Sequence, residues 1–151
     1  MGSYNGLLKA EFTPPNRWAL SRELSFKTSM LSKDEIEILQ WIGVDCSGVG
    51  EIKVKSGFST DLASVPRYLW WLISPTDIVR ASVIHDELYF WCRNYFNSTD
   101  SDIDIWTKAR MVSDKVFLIA MQASEPPIEN WKIKAIYAAV RFFGKKPASA
   151  I

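Results

Sequence analysis

The hydrophobic period changes once along this chain, near residue 75, from two to about 3.6. That single switch restricts the fold more than any motif does. In Trp18–Lys27 the even positions carry Trp18, Leu20, Leu24 and Phe26, while the odd ones are small or polar. This predicts one strand with a buried face, broken only by Arg22. Glu51–Lys55 repeats the alternation, with Ile52 and Val54 on one face. Ser32-Lys33-Asp34-Glu35 has capping-box spacing and predicts a short helix, but Glu35–Val44 also reads as a strand. Both readings stay open. From Thr76, the residues Ile78, Ala81, Ser82, His85, Leu88, Tyr89 and Cys92 recur at helical spacing. Thr76 or Asp77 stands at the N-cap position after Pro75, and the helix should run to about Tyr95. Asn97–Asp102 is turn chemistry and a cap for the next helix, about Ile103–Ala123, which ends before Pro126-Pro127. A third helix follows over about Ile128–Phe143, with Gly144 as its C-cap and Lys145–Ile151 as a loose tail. The expected fold is α+β. A small antiparallel sheet from the first half packs on three main helices, the first two of them antiparallel neighbours.

The length of 151 residues suits a single domain that buries roughly 70% of its unfolded surface. With 18 basic and 17 acidic side chains, the charge balance argues against nucleic-acid binding driven by bulk charge. Apolar runs such as Tyr68–Ile73 and Val116–Met121 fall far short of the ~20 residues that span a bilayer. The N-terminus lacks the basic-then-apolar pattern of a secretory signal, and Gly6 breaks the myristoylation motif. Cys46 and Cys92 lack metal-type spacing, so two free thiols in a reducing compartment are expected. Seven tryptophans read first as core fillers. The alternative is an aromatic belt at an interface, best represented by Trp70-Trp71.

The only histidine, His85, lies on the apolar stripe of the first long helix. A histidine there is ordinarily a satisfied core residue. Three neighbours point further. Asp86 is next to it, Tyr89 is one turn on, and the facing helix carries Asp114 in a stripe with Arg110, Phe117 and Met121. A carboxylate on a core-facing helix needs partners, and an imidazole N–H with a tyrosine hydroxyl would supply them. The same arrangement suits a general base. The carboxylate fixes the tautomer, and the other ring nitrogen takes a proton from water. His85, Asp114 and Tyr89 are therefore candidate catalytic residues. The competing reading is a structural network that locks two helices.

A second constellation is Gly57-Phe58-Ser59-Thr60-Asp61-Leu62-Ala63-Ser64-Val65-Pro66-Arg67, between a strand and a short apolar helix at Tyr68–Ile73. Asp61 and Arg67 fall on or beside a loop, where polar residues often serve binding. For Asp61, bonding to loop N–H groups is an equal alternative.

That segment, together with Ala81-Ser82-Val83-Ile84-His85-Asp86-Glu87-Leu88-Tyr89, Arg110…Asp114…Phe117…Ala120-Met121 and Tyr137–Gly144, resembles a small phage and prophage domain family without assigned activity. The resemblance covers about Trp18 to Gly144, and Met30–Gly50 looks like an insertion. It implies viral origin, with residence in the virion or in the cytoplasm of an infected host. Its implied partners are other phage structural proteins or envelope lipid. Arg110 joins Asp61 and Arg67 as a candidate binding residue. The His-Asp-x-x-Tyr helix is also similar to calcium-dependent secreted phospholipases and to the phospholipase domain of parvovirus capsids. This second resemblance implies that His85 deprotonates a water attacking an ester, with Asp114 orienting His85 and Tyr89 bonding Asp114. It further implies calcium as a cofactor on Asp86, with Asp61 as a second oxygen ligand. The chain departs from those enzymes in lacking their glycine-rich calcium loop and their disulfides. The functional expectation is a phage-encoded hydrolase of lipid esters or other cell-envelope material. The alternatives are a non-catalytic virion, tail or assembly protein, and a regulator of host proteins.

Overall fold

The structure, a computed structural model, describes residues 1–61, 71 and 75–149. Six strands are present among them: β1 (Gly2–Tyr4), β2 (Ala10–Thr13), β3 (Arg17–Leu20), β4 (Leu24–Thr28), β5 (Glu51–Val54) and β6 (Ser59–Thr60). The helices are α1 (Lys33–Trp41), α2 (Pro75–Phe96), α3 (Ile103–Gln122), α4 (Asn130–Phe143) and α5 (Lys145–Ser149). The strands form two antiparallel sheets, ordered β1-β4-β5 and β2-β3-β6. The fold is α+β, with two small sheets in place of the one expected.

The second sheet arises because the alternating stretch Trp18–Lys27 is not one strand. It divides between β3 and β4, which belong to different sheets. Arg22, the one breach of the alternation, sits in the break and donates to the Leu7 carbonyl at 2.5 Å. Asn5 fixes the restart, donating to the Glu23 carbonyl and accepting from the Ser25 N–H. In β4 Leu24, Ser25, Phe26 and Thr28 are all buried, and only Lys27 is exposed. The Glu35–Val44 ambiguity resolves as helix. Ser32 accepts from the Glu35 N–H while the Glu35 carboxylate accepts from the Ser32 N–H, and this capping box opens α1. The 30–50 segment buries Leu39, Ile42 and Val44 in the common core.

Pro75 is itself the first residue of α2, so Thr76 and Asp77 lie inside the helix rather than before it. Asp102 caps α3 through its carboxylate, as its sequence context suggests. Contacts His85–Asp114, Cys92–Ser113 and Phe96–Trp106 run in opposite order along α2 and α3, which makes the two helices antiparallel. No helix among the described residues is long and apolar enough to cross a membrane.

Two expectations are corrected here. Residues 145–149 are not loose; they form α5, packed on α2. Ala148 is buried, and its carbonyl accepts from the Trp106 indole, while Arg93 donates to the Pro147 carbonyl. These anchors come from distant segments, so no local pattern announces them. The tryptophans are mostly not core fillers. Trp106 is buried and Trp91 partly so, but Trp18, Trp41, Trp71 and Trp131 are exposed. The predicted short helix at Tyr68–Ile73, and with it Trp70, lies outside the described residues apart from Trp71. Cys46 and Cys92 are free and buried. Burial pushes the Cys46 thiol up to about 11 and the Cys92 thiol to about 12, which leaves neither a ready nucleophile.

Candidate active site around His85

The α2–α3 seam brings one histidine, one acid and one tyrosine together, and α4 adds an arginine. His85 Nε2 lies 2.9 Å from Asp114 Oδ1, and the Tyr89 hydroxyl donates to the same oxygen at 2.7 Å. Arg141 Nη1 donates to Asp114 Oδ2 at 2.5 Å. Asp114 is fully buried, at 0% exposure. Burial alone would raise its pKa. The hydrogen bonds and charge of His85, with those of Tyr89 and Arg141, outweigh this and hold the carboxyl below its usual range. Tyr89 shifts the other way. Burial first, then the Asp114 charge, push its hydroxyl up, so it remains a proton donor.

An ionised carboxylate can only accept. The Asp114 contact therefore places a proton on Nε2, so that in the neutral ring Nδ1 is the nitrogen with the free lone pair. The ring stacks on Phe117 at 4.6 Å and tilts against Tyr89 at 4.1 Å, which fixes its plane. Nδ1 is buried and has no hydrogen-bond partner among the described residues. The ring as a whole is 1% exposed.

His85 and Tyr89 lie in the wall of a cleft of about 760 Å³. Phe58, Phe90 and Phe143 make its apolar side, and Arg17 and Arg93 bring positive charge. Thr60 and Asp61, positioned by β6 and the turn at Gly57, line another part with Asp86 of α2. Gly57 has φ +87°, a conformation that favours glycine. The Thr60 hydroxyl donates to Asp86 Oδ2. Burial pushes the Asp86 carboxyl up to about 7; the Thr60 bond pulls it back and the Asp61 charge adds to the rise. The folded state thus holds a proton on Asp86 that the unfolded chain, near 3.9, has already released. This group's contribution to stability falls as pH rises from about 4 to about 7 and stays low above that. Asp86→Asn is expected to flatten the slope of unfolding free energy over that window, measured by urea denaturation at several pH values. An unchanged slope contradicts the assignment.

Gly144 closes the cluster from the α4–α5 junction. A Cβ there would lie 2.3 Å from the Tyr89 hydroxyl and 2.4 Å from the Val140 carbonyl. Gly144→Ala is expected to cost about 1–3 kcal/mol by overpacking, read as a lower midpoint in thermal unfolding. A neutral result would mean that the tyrosine is not held against this turn.

The structure thus joins His85, Asp114 and Tyr89 directly, and sets Asp86 and Asp61 beside them in one cleft. Arg67 lies outside the described residues. Arg110 does not line the cleft among the described residues; its Nη2 donates to the Arg141 carbonyl at 2.6 Å, supporting the cluster from behind. Sequence reasoning missed Arg141, Thr60 and Arg93. No local pattern signals Arg141, which only the packing of α4 brings to the second oxygen of Asp114.

For calcium, Asp86, Asp61 and the Thr60 hydroxyl bring three oxygen-bearing side chains to the cleft, where the ion takes six to eight oxygens. No group of three His, Cys, Asp or Glu side chains among the described residues could hold a metal. The residues fit a calcium ion only in part, and no step below is routed through one.

Residues 38–140, more than half of the chain, match the family described as a protein of unknown function, DUF1353. The chain belongs to the DUF1353 family. The DUF1353 match takes in His85, Asp86, Tyr89 and Asp114, and it ends one residue before Arg141. Strands β1–β4 precede it, so the β2–β3 arm beside the cleft is not part of the DUF1353 match. No curated protein and no solved structure matches the chain.

Proposed function

We propose that the protein is a hydrolase in which His85 is the general base, acting on esters of the phospholipid type or on other cell-envelope material. The observation that carries this reading is the orphaned Nδ1 of a cleft-lining imidazole whose other nitrogen is committed to an ionised carboxylate. Buried polar atoms are almost always paired, and an exception calls for a functional explanation.

In the proposed reaction a water drawn from the cleft onto Nδ1 gives up a proton as its oxygen attacks the ester carbonyl. The imidazolium formed is held by Asp114 through the Nε2 proton. When the tetrahedral intermediate collapses, the C–O bond breaks and Nδ1 returns its proton to the departing alkoxide. Tyr89 positions Asp114. Arg17 and Arg93 suit an anionic group on the substrate, and the phenylalanine side of the cleft suits an acyl chain. The test is hydrolysis of 4-nitrophenyl acyl esters and of phospholipid vesicles by the intact protein. The reading expects saturable turnover of at least one class, and no turnover above buffer contradicts it. Calcium binding at Asp86 and Asp61 has a separate test. A rise in melting temperature with millimolar calcium, lost in Asp86→Asn, supports a metal at Asp86 and Asp61, and silence removes it.

A second reading, a non-catalytic phage virion, tail or assembly component, is favoured by two observations. Arg141 already neutralises Asp114, so the carboxylate has less charge to offer an imidazolium. Trp41, Trp71 and Trp131 are exposed, as partner-binding aromatics would be. Under that reading the four-residue network fixes the fold and no ester is turned over.

A further inference from the structure

Arg141 faces two ways. Its Nη1 holds Asp114, and the same side chain lies in the wall of a second cavity, of about 330 Å³, among α1, α3 and α4. The hydrogen-bonding groups of this cavity are unbalanced. Its one carboxylate, Glu35, is already engaged on both oxygens. Lys115 Nζ donates to both of its oxygens at 2.8 Å, and the Ser32 N–H donates to one of them. The donors, by contrast, are underused. Lys108 and the Tyr137 hydroxyl make no hydrogen bond or ion pair among the described residues. The engagement of Nη1 with Asp114 leaves the Nε–Nη2 edge of Arg141, a planar two-donor fork, available. Ile38, Met111 and Val112 complete the wall with hydrocarbon.

We propose that this cavity binds a small monocarboxylate bearing a short apolar chain. The ligand must bring an anionic, acceptor-rich head, because the three cations Lys108, Lys115 and Arg141 outnumber the one carboxylate in the cavity wall. A planar carboxylate matches the guanidinium fork bidentately, and Lys108 supplies the uncompensated charge. The chain of the ligand lies on Ile38, Met111 and Val112. Because the guanidinium is shared, an occupant of this cavity touches the residue that also holds the buried acid beside His85.

The test is calorimetric titration of the full chain with sodium hexanoate at fixed ionic strength, with acetate, inorganic phosphate and hexylammonium in parallel. The expected result is one saturable site for hexanoate, weaker binding of acetate, and none of hexylammonium. Lys108→Gln changes an exposed residue and should leave the fold intact, while weakening hexanoate about tenfold, the size of one charge-assisted hydrogen bond. Arg141→Lys should weaken it further, since a point charge replaces the fork. Absence of saturable binding overturns the proposal. So does hexanoate affinity that ignores Lys108→Gln, or phosphate bound as tightly as hexanoate. None of these outcomes depends on whether His85 turns over an ester.

Discussion

Replacing Asp114 by alanine is expected to lower the unfolding free energy by about 3–5 kcal/mol, the cost of removing one partner from a buried charged cluster. Three donors converge on this carboxylate: His85 Nε2, the Tyr89 hydroxyl and Arg141 Nη1. Removing it strands the His85 and Tyr89 donors in the buried seam. It also strips the Arg141 charge of its counter-ion. For a chain of this size, such a loss lowers the melting temperature by roughly 10 °C or more. The pH dependence has a matching sign. Because the folded state holds the Asp114 carboxyl below its ordinary value, its contribution is complete above the usual carboxylate range and is lost as pH falls through and below it. The alanine variant should therefore lose part of the acid-induced drop in stability. Equilibrium urea unfolding of both proteins at pH 7 and pH 3 measures this. A loss under about 1 kcal/mol at pH 7 would mean that the cluster does not hold α2 to α3.

The helical half of this fold is legible because its amphipathic stripes are long and its ends carry ordinary signals, such as the Asp102 cap. The β half is harder to read for a specific reason. Alternation over Trp18–Lys27 records which side chains are buried, but not that the chain changes sheets at Arg22. That change depends on Asn5 and on the Leu7 carbonyl, both more than ten residues away. The helix α5 escaped for a similar reason, since a five-residue segment with two lysines is stabilised by Trp106 and Arg93 rather than by its own pattern.

At the site, the trio of His85, Tyr89 and Asp114 is readable because helical spacing fixes two members and the cost of burying an acid demands the third. Arg141 is not readable from the same argument. Two neutral donors account for the carboxylate in the sequence argument, and only the packing of α4 places a cation on its second oxygen. Thr60 is likewise set by a two-residue strand, β6, whose pairing with β3 at Trp18 carries it to Asp86.

His85→Gln separates the two readings of the cluster. The glutamine amide can still donate to Asp114 in place of Nε2, so a network with a merely structural purpose is largely preserved. It has no basic nitrogen to replace Nδ1. If Nδ1 takes the proton from water, the variant remains cooperatively folded and its ester hydrolysis falls by about 10²–10⁴-fold, the range for a positioned general base. His85 is the only histidine in the chain, so no second imidazole can supply residual activity. The deciding measurement is kcat/KM for the most readily cleaved acyl ester, taken on the native protein and on His85→Gln, with melting curves confirming that both are folded at the assay temperature. The account expects a loss of at least a hundredfold. Equal rates in two folded proteins would contradict it.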